Sequence, residues 1–189
     1  MTAELDEILV DRVDALGPNP WSGQCFRYTT ARRGPLSGEG ARRHGGRWNP
    51  PDLFPAIYLA DSEQACMNEV DRAADIAGLA AEVMLTVPYK LHTIDVNGLA
   101  VLDLRTKKAQ DFVGLEIEDL FGKDWAACQA VGHAAWFLEM AGVLAPAAGG
   151  IGLVITAFEH RAQPGQVTVN NSRDLTPGLY REFRPGAES

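Results

Sequence analysis

A chain of 189 residues with a formal net charge of −8 is long enough to bury one substantial core and short for two, so one domain over residues 1–189 is expected. The acidic balance, with a pI near 5.0, excludes broad attraction to phosphate backbones, and no direct nucleic-acid contact is expected. Small anions remain open, because a few arginines in a cleft reverse the field locally.

Cys25, Cys66 and Cys128 are odd in number, widely spaced and set among apolar neighbours, which reads as three core thiols in a reducing compartment. No CxxC occurs, and His44, His92, His133 and His160 are too far apart for a local metal motif, so no metal is expected. The opening residues Glu4, Asp6, Glu7 and Asp11 give no basic stretch before an apolar run, hence no signal peptide and a cytoplasmic location. Residues 141–158 are uncharged, yet Gly142, Pro146, Gly149, Gly150 and Gly152 interrupt them. A turn between two buried strands explains that run better than a membrane span.

In chain order, Ile8, Leu9 and Val13 predict a helix over residues 5–16 that stops at Gly17-Pro18. Residues 24–29 alternate as a strand, with Cys25, Arg27 and Thr29 on one face and Phe26 and Tyr28 on the other. Residues 31–52, rich in Gly, Pro and Arg, read as a long loop of the kind that carries function. A short strand follows at 56–60. Asp61-Ser62 then offers an N-cap, with Gln64 as capping-box partner, for a helix running to about residue 77. One stripe of that helix holds Ala65, Glu69 and Arg72 or Ala73. Strands are expected at 82–87, 92–94 and 101–104, a helix over 124–140, and strands at 152–158 and 166–169. Strands outnumber helices without alternating with them, which predicts an α+β fold of mixed or antiparallel sheets with flanking helices.

The segment from Arg27 to Glu69 concentrates the chemistry. Six arginines fall within residues 27–47, and Tyr28, Gly45-Gly46, Trp48-Asn49-Pro50 and Tyr58 accompany them. Arg27 and Arg47 suit bidentate contact with phosphate oxygens, whereas Arg32, Arg33, Arg42 and Arg43 are equally well read as a solvated loop. Tyr28 and Tyr58 have the faces to stack on nicotinamide or adenine. Glu69, on a helix after a short buried strand, has the charge to stabilise an oxocarbenium-like centre or to grip a ribose hydroxyl. A ligand anionic at one end and aromatic at the other, such as NAD, fits this set. Ser37 has no nucleophile-elbow context, and His133 reads as a core histidine.

In this order the motifs Cys25-Phe26-Arg27-Tyr28, Leu36-Ser37-Gly38-Glu39-Gly40-Ala41-Arg42-Arg43, Gly46-Arg47-Trp48-Asn49, Ile57-Tyr58-Leu59-Ala60 and Glu69 resemble the RES-domain toxins of type II toxin–antitoxin systems. The likeness runs from Trp21 onward, through Ala130-Val131-Gly132-His133 and Asn171 to Leu175, and is closest to the mycobacterial branch, whose toxin is an NAD+ phosphorylase. It implies an ADP-ribosyltransferase-like fold, NAD+ as substrate, inorganic phosphate as co-substrate and no other cofactor. It also implies a cognate antitoxin, of the DNA-binding Xre-like kind, in a toxin–antitoxin hetero-oligomer, with no membrane involved. The family's arginine, tyrosine and glutamate fall on Arg27, Tyr58 and Glu69 as catalytic residues. Tyr28, Arg47, Trp48, Asn49 and Gln129 are the expected NAD+-binding residues.

The family's serine is missing. Ala126-Ala127 and Ala147-Ala148 occupy the two candidate positions and carry no hydroxyl. Either another polar group, with Gln129 the candidate, takes its place, or the enzyme is weakened. Two alternatives stand beside phosphorolysis: transfer of ADP-ribose to a protein, since the choice of acceptor rests with the loops, and an inactive NAD- or partner-binding module, which the missing serine supports.

Overall fold

Residues 5–184 and 186 are described in the computed structural model; Glu4 of the acidic opening run lies outside them. Helix α1 (Glu7–Leu16) begins where the Asp6 carboxylate accepts from the N–H groups of Ile8 and Leu9, and it ends at Gly17. Strand β1 (Asn19–Thr30) extends well beyond the expected 24–29. The stretch expected as loop contains helix α2 (Glu39–His44), in which Glu39 accepts from Arg42 and Arg43 one turn later. Six residues are too few to show a helical period, so local ion pairs mark this helix better than hydrophobic pattern does.

Strand β2 (Ala56–Ala60) and helix α3 (Glu63–Ile76) follow as expected. Ser62 is the cap of α3, accepting from Ala65 N at 3.1 Å. Asp61 plays no part in a box with Gln64; its carboxylate receives Leu153 N at 2.9 Å and ties the loop to a later strand. Residues 82–87, expected as a strand, are instead helix α4 (Ala81–Met84) and a turn, with Val83 and Met84 both donating to Ala80 O. Val83, Thr86 and Val87 face solvent there, so their β propensity has no pleated surface to pack against.

The two strands expected at 92–94 and 101–104 are one, β3 (Tyr89–Asp103). Asn97-Gly98 forms a bulge opposite Ser22, whose hydroxyl accepts from Gly98 N at 2.8 Å, and φ of +60° suits the glycine. Short helices α5 (Lys107–Phe112) and α6 (Ile117–Phe121) lead to α7 (Ala126–Phe137), the helix expected over 124–140. The uncharged run is β4 (Gly142–Pro146), a turn and β5 (Leu153–Phe158). Then come β6 (Val167–Asp174) and α8 (Pro177–Phe183). No described helix is long and apolar enough to cross a membrane.

The six strands of the described residues form one mixed sheet in the order β1-β2-β5-β4-β3-β6, in which β3–β4 is the parallel pair. Because β1 also pairs with β3 along nearly its whole length, five strands close into a ring and β6 hangs on the outer edge of β3. Alternate residues fill the ring, among them Cys25, Leu59, Ile94, Leu144 and Ile155. The opposite residues carry the helices. One cluster, around Trp48, Phe54 and Phe158, seats α1 and α5–α7; another, around Cys66, Val70 and Leu91, seats α3, α4 and α8. The architecture is α+β, with a mixed sheet and flanking helices.

The ring has a weak seam. Five residue pairs join β2 to β5, but a single pair, Phe26–Ala60, joins β1 to β2.

Candidate active site

A cavity of about 410 Å³ opens where β1 leaves β2. Its walls are β1 (Phe26 to Tyr28), the turn Gly45 to Trp48, β2 (Tyr58 to Ala60), one face of α3, Trp125, and Ala147-Ala148. Much of that lining is apolar, and its charged members are Arg27, Arg47, Glu69 and Arg72. Three arginines against one glutamate make the cavity positive in a protein of net charge −8. Of the six arginines in residues 27–47, Arg27 from β1 and Arg47 from the glycine turn reach it. Arg42 and Arg43 bind Glu39, and Arg32 and Arg33 are exposed.

Tight hydrogen bonding holds the glycine turn. The Tyr58 hydroxyl accepts from Trp48 N at 2.9 Å and donates to Asn49 Oδ1 at 2.8 Å. Asn49 Nδ2 donates to Ala41 O at 2.8 Å, and Gln129 Nε2 on α7 donates to Gly46 O at 2.9 Å. Gly46 is needed for this closeness, since a Cβ there would overlap the Tyr58 hydroxyl. Trp48 and Asn49 are fully buried. The cavity is thus lined by Tyr58 and Trp48 but not by Asn49 or Gln129, which brace the turn from behind.

Both expected phosphate-binding arginines are already engaged by backbone. Arg27 donates from Nη1 to Pro35 O at 2.7 Å and from Nη2 to Ser37 O at 3.0 Å. Burial, and then the neighbouring Arg33, pull its pKa down to about 10, so it stays charged near neutral pH. Arg47 donates to Asp119 O at 2.6 Å and to Gly122 O at 2.8 Å, satisfying carbonyls at the end of α6, and stacks 5.7 Å from the Trp125 ring. Each arginine therefore folds a loop around the cavity and adds its charge to the field inside.

Glu69 faces the cavity from α3, its side chain 41% exposed. Both its oxygens accept from Arg72 Nη1, at 2.9 and 3.0 Å. A half-exposed pair of this kind is worth under about 1 kcal/mol, so the carboxylate is readily shared with a ligand. Tyr28, with its hydroxyl 3.5 Å from Glu69 O, packs between α3 and Tyr89, and burial raises its pKa above the usual tyrosine value. Arg27, Tyr28, Tyr58 and Glu69 are all brought to one cavity. Arg72 was visible in the sequence only as a neighbour of Glu69 on a helical stripe, and its place in the cavity was missed. Among the described residues no cluster of three or more His, Cys, Asp or Glu is arranged to hold a metal.

The RES-domain profile matches residues 19–176, which span every wall of this cavity. The chain belongs to the RES-domain family. It is 65% identical over 184 residues, 97% of this chain and 99% of the other, to the NAD(+) phosphorylase MbcT of Mycobacterium tuberculosis, and to the same degree to that of Mycobacterium bovis. A chain in the crystal structure of the M. tuberculosis MbcT–MbcA toxin–antitoxin complex superposes with a TM-score of 0.90, at 65% identity, covering 95% of this chain and 98% of that one. Of the two alanine pairs that face the family's serine question, one lies in the RES cavity and the other begins beside its rim at Trp125. Ala147 and Ala148 line it, and Ala126 follows Trp125, which does.

Proposed function

We propose that this RES protein is a toxin that degrades NAD+ by phosphorolysis, giving ADP-ribose-1″-phosphate and nicotinamide, and that a cognate antitoxin neutralises it. The observation that carries this reading is near full-length 65% identity to an NAD(+) phosphorylase, combined with a cavity of matching chemistry. That cavity offers aromatic walls for the nicotinamide, a positive field for the pyrophosphate and a single carboxylate for the ribose. Its position over the β1–β2 seam suits an ADP-ribosyltransferase-like mode of binding.

In this mechanism NAD+ enters with its charged nicotinamide against Tyr28 and Tyr58, and the fields of Arg27 and Arg47 draw its phosphates. Glu69 stabilises positive charge growing on the ribose as the C1″–N bond breaks. The bonding pair goes to the pyridinium nitrogen, so nicotinamide leaves neutral. Such a reaction requires a placed carboxylate more than a strong nucleophile, and it needs no serine hydroxyl at Ala126 or Ala147.

The partner reading follows from the toxin–antitoxin complex that holds the similar structure. An antitoxin, with the DNA-binding Xre-like character expected from the family, and a cytoplasmic location complete the proposal. Purified protein incubated with NAD+, with and without inorganic phosphate, tests it directly by phosphorus NMR. Phosphate-dependent nicotinamide release with a sugar-phosphate product is expected, and Glu69→Gln should remove it while leaving the fold intact. Label transferred from NAD+ to protein instead would install the ADP-ribosyltransferase reading.

A further inference from the structure

The acceptor in phosphorolysis needs its own binding group, and the two expected arginines are poorly placed to be it. Arg27 and Arg47 each give both terminal nitrogens to backbone carbonyls. Arg72 is different. Among the described residues its one hydrogen-bond partner is Glu69, reached through Nη1 alone. The Nε and Nη2 edge of the guanidinium meets no protein acceptor, the side chain is 35% exposed, and it lines the cavity. That edge is the planar fork that takes two oxygens of a phosphate at once.

The wall beside it is closed by the turn after β4. A Cβ on Gly149 would overlap the Asn68 amide and lie 3.3 Å from Arg72 Cδ, so the turn rests on the aliphatic stem and limits where the guanidinium can go. The head is left to the cavity.

We propose, resting on the phosphorolysis reading, that Arg72 is the receptor for the acceptor phosphate. Inorganic phosphate docks on the Nε–Nη2 edge while Nη1 keeps Glu69, so one guanidinium holds nucleophile and carboxylate side by side and screens their repulsion. A phosphate oxygen, already anionic, supplies the electron pair for the new C1″–O bond as the C1″–N pair departs with nicotinamide. No oxidant or reductant enters, and the phosphate monoester gives up any remaining proton to solvent according to pH. The pyrophosphate of NAD+ is a weaker occupant for this edge, because the ribose ring and C5″ separate it from the carbon that Glu69 serves.

Steady-state kinetics of Arg72→Gln and Arg72→Lys test the assignment, with phosphate varied at saturating NAD+ and the products resolved by phosphorus NMR. Loss of a charged bidentate contact should raise KM for phosphate roughly tenfold to a hundredfold in Arg72→Gln. KM for NAD+ should change little, and free ADP-ribose from water attack should take a larger share of product. Arg72→Lys, which keeps the charge and loses the fork, should fall between wild type and Arg72→Gln. Far-UV circular dichroism of both variants should match wild type, since the side chain is half-exposed and bonds only Glu69. An unchanged KM for phosphate, or one that rises only in step with KM for NAD+, overturns the assignment. A wild-type protein that cleaves NAD+ at one rate with or without phosphate removes the phosphorolysis reading itself; phosphate-dependent wild type with an unaltered Arg72→Gln removes Arg72 alone.

Discussion

Replacing Tyr58 by Phe separates two roles that the sequence merged. The ring lines the cavity, while the hydroxyl lies behind it, accepting from Trp48 N at 2.9 Å and donating to Asn49 Oδ1 at 2.8 Å. Both partners belong to fully buried residues, so Tyr58→Phe strands one donor and one acceptor away from water. Each such group costs about 1–3 kcal/mol, which puts the variant about 2–6 kcal/mol below wild type, toward the lower end if a water enters the gap. For a chain of this length, about 3 kcal/mol corresponds to a drop of about 6–12 °C in Tm. The assay is thermal unfolding by circular dichroism, paired with nicotinamide release well below the transition. We expect a marked loss of stability with turnover largely kept, because the ring that lines the cavity is preserved. A variant that keeps its Tm but loses turnover refutes this reasoning and places the hydroxyl on the substrate.

Gly132→Ala should be severe, since a Cβ on this buried position of α7 would overlap the Trp48 carbonyl; overpacking of this kind costs about 1–3 kcal/mol or more, read as poor soluble yield and a lowered urea midpoint. The thiols of Cys25, Cys66 and Cys128 are pushed by burial from 9.0 to about 12, 12 and 11. They should resist a thiol reagent until the protein unfolds, and a fast-reacting native thiol would contradict their burial. Below pH 9.0 folded and unfolded chains alike hold these protons; above it the unfolded chain loses them first, so this contribution to stability falls as pH climbs toward 12. His92 and His133 lie below the ordinary 6.5, His92 through burial and then Arg27 and Lys90, His133 through burial. The unfolded chain takes up protons first as pH drops below that value, so urea midpoints should decline with falling pH, and less so in His92→Gln.

Much of this was legible where one residue type has one physical job. The alternation from Gln24 to Thr29 marked β1, the pair Asp61-Ser62 marked the start of α3, and the glycines of residues 141–158 marked the turn between β4 and β5. Helices of four to six residues were not legible: α2, α4, α5 and α6 are held by caps, local ion pairs and tertiary contact rather than by a repeating apolar face. The residues meeting at the cavity were found, but what they bond was not. An arginine after two glycines looks the same in sequence whether it meets a phosphate or, like Arg47, the carbonyls of Asp119 and Gly122, because those partners lie more than seventy residues away. Arg72 was passed over for the opposite reason. A helical Glu–Arg pair at i,i+3 is so common on solvated surfaces that only the cavity distinguishes it.

The single pair between β1 and β2 gives the molecule one compliant joint in an otherwise stiff wall. Elsewhere in the ring, parting two strands means breaking a ladder; here Phe26 and Ala60 separate at the loss of one bridge, and both residues face the cavity. Changes in the width of the mouth are therefore concentrated at this joint, while the glycine turn, clamped by Tyr58, Asn49 and Gln129, keeps its shape.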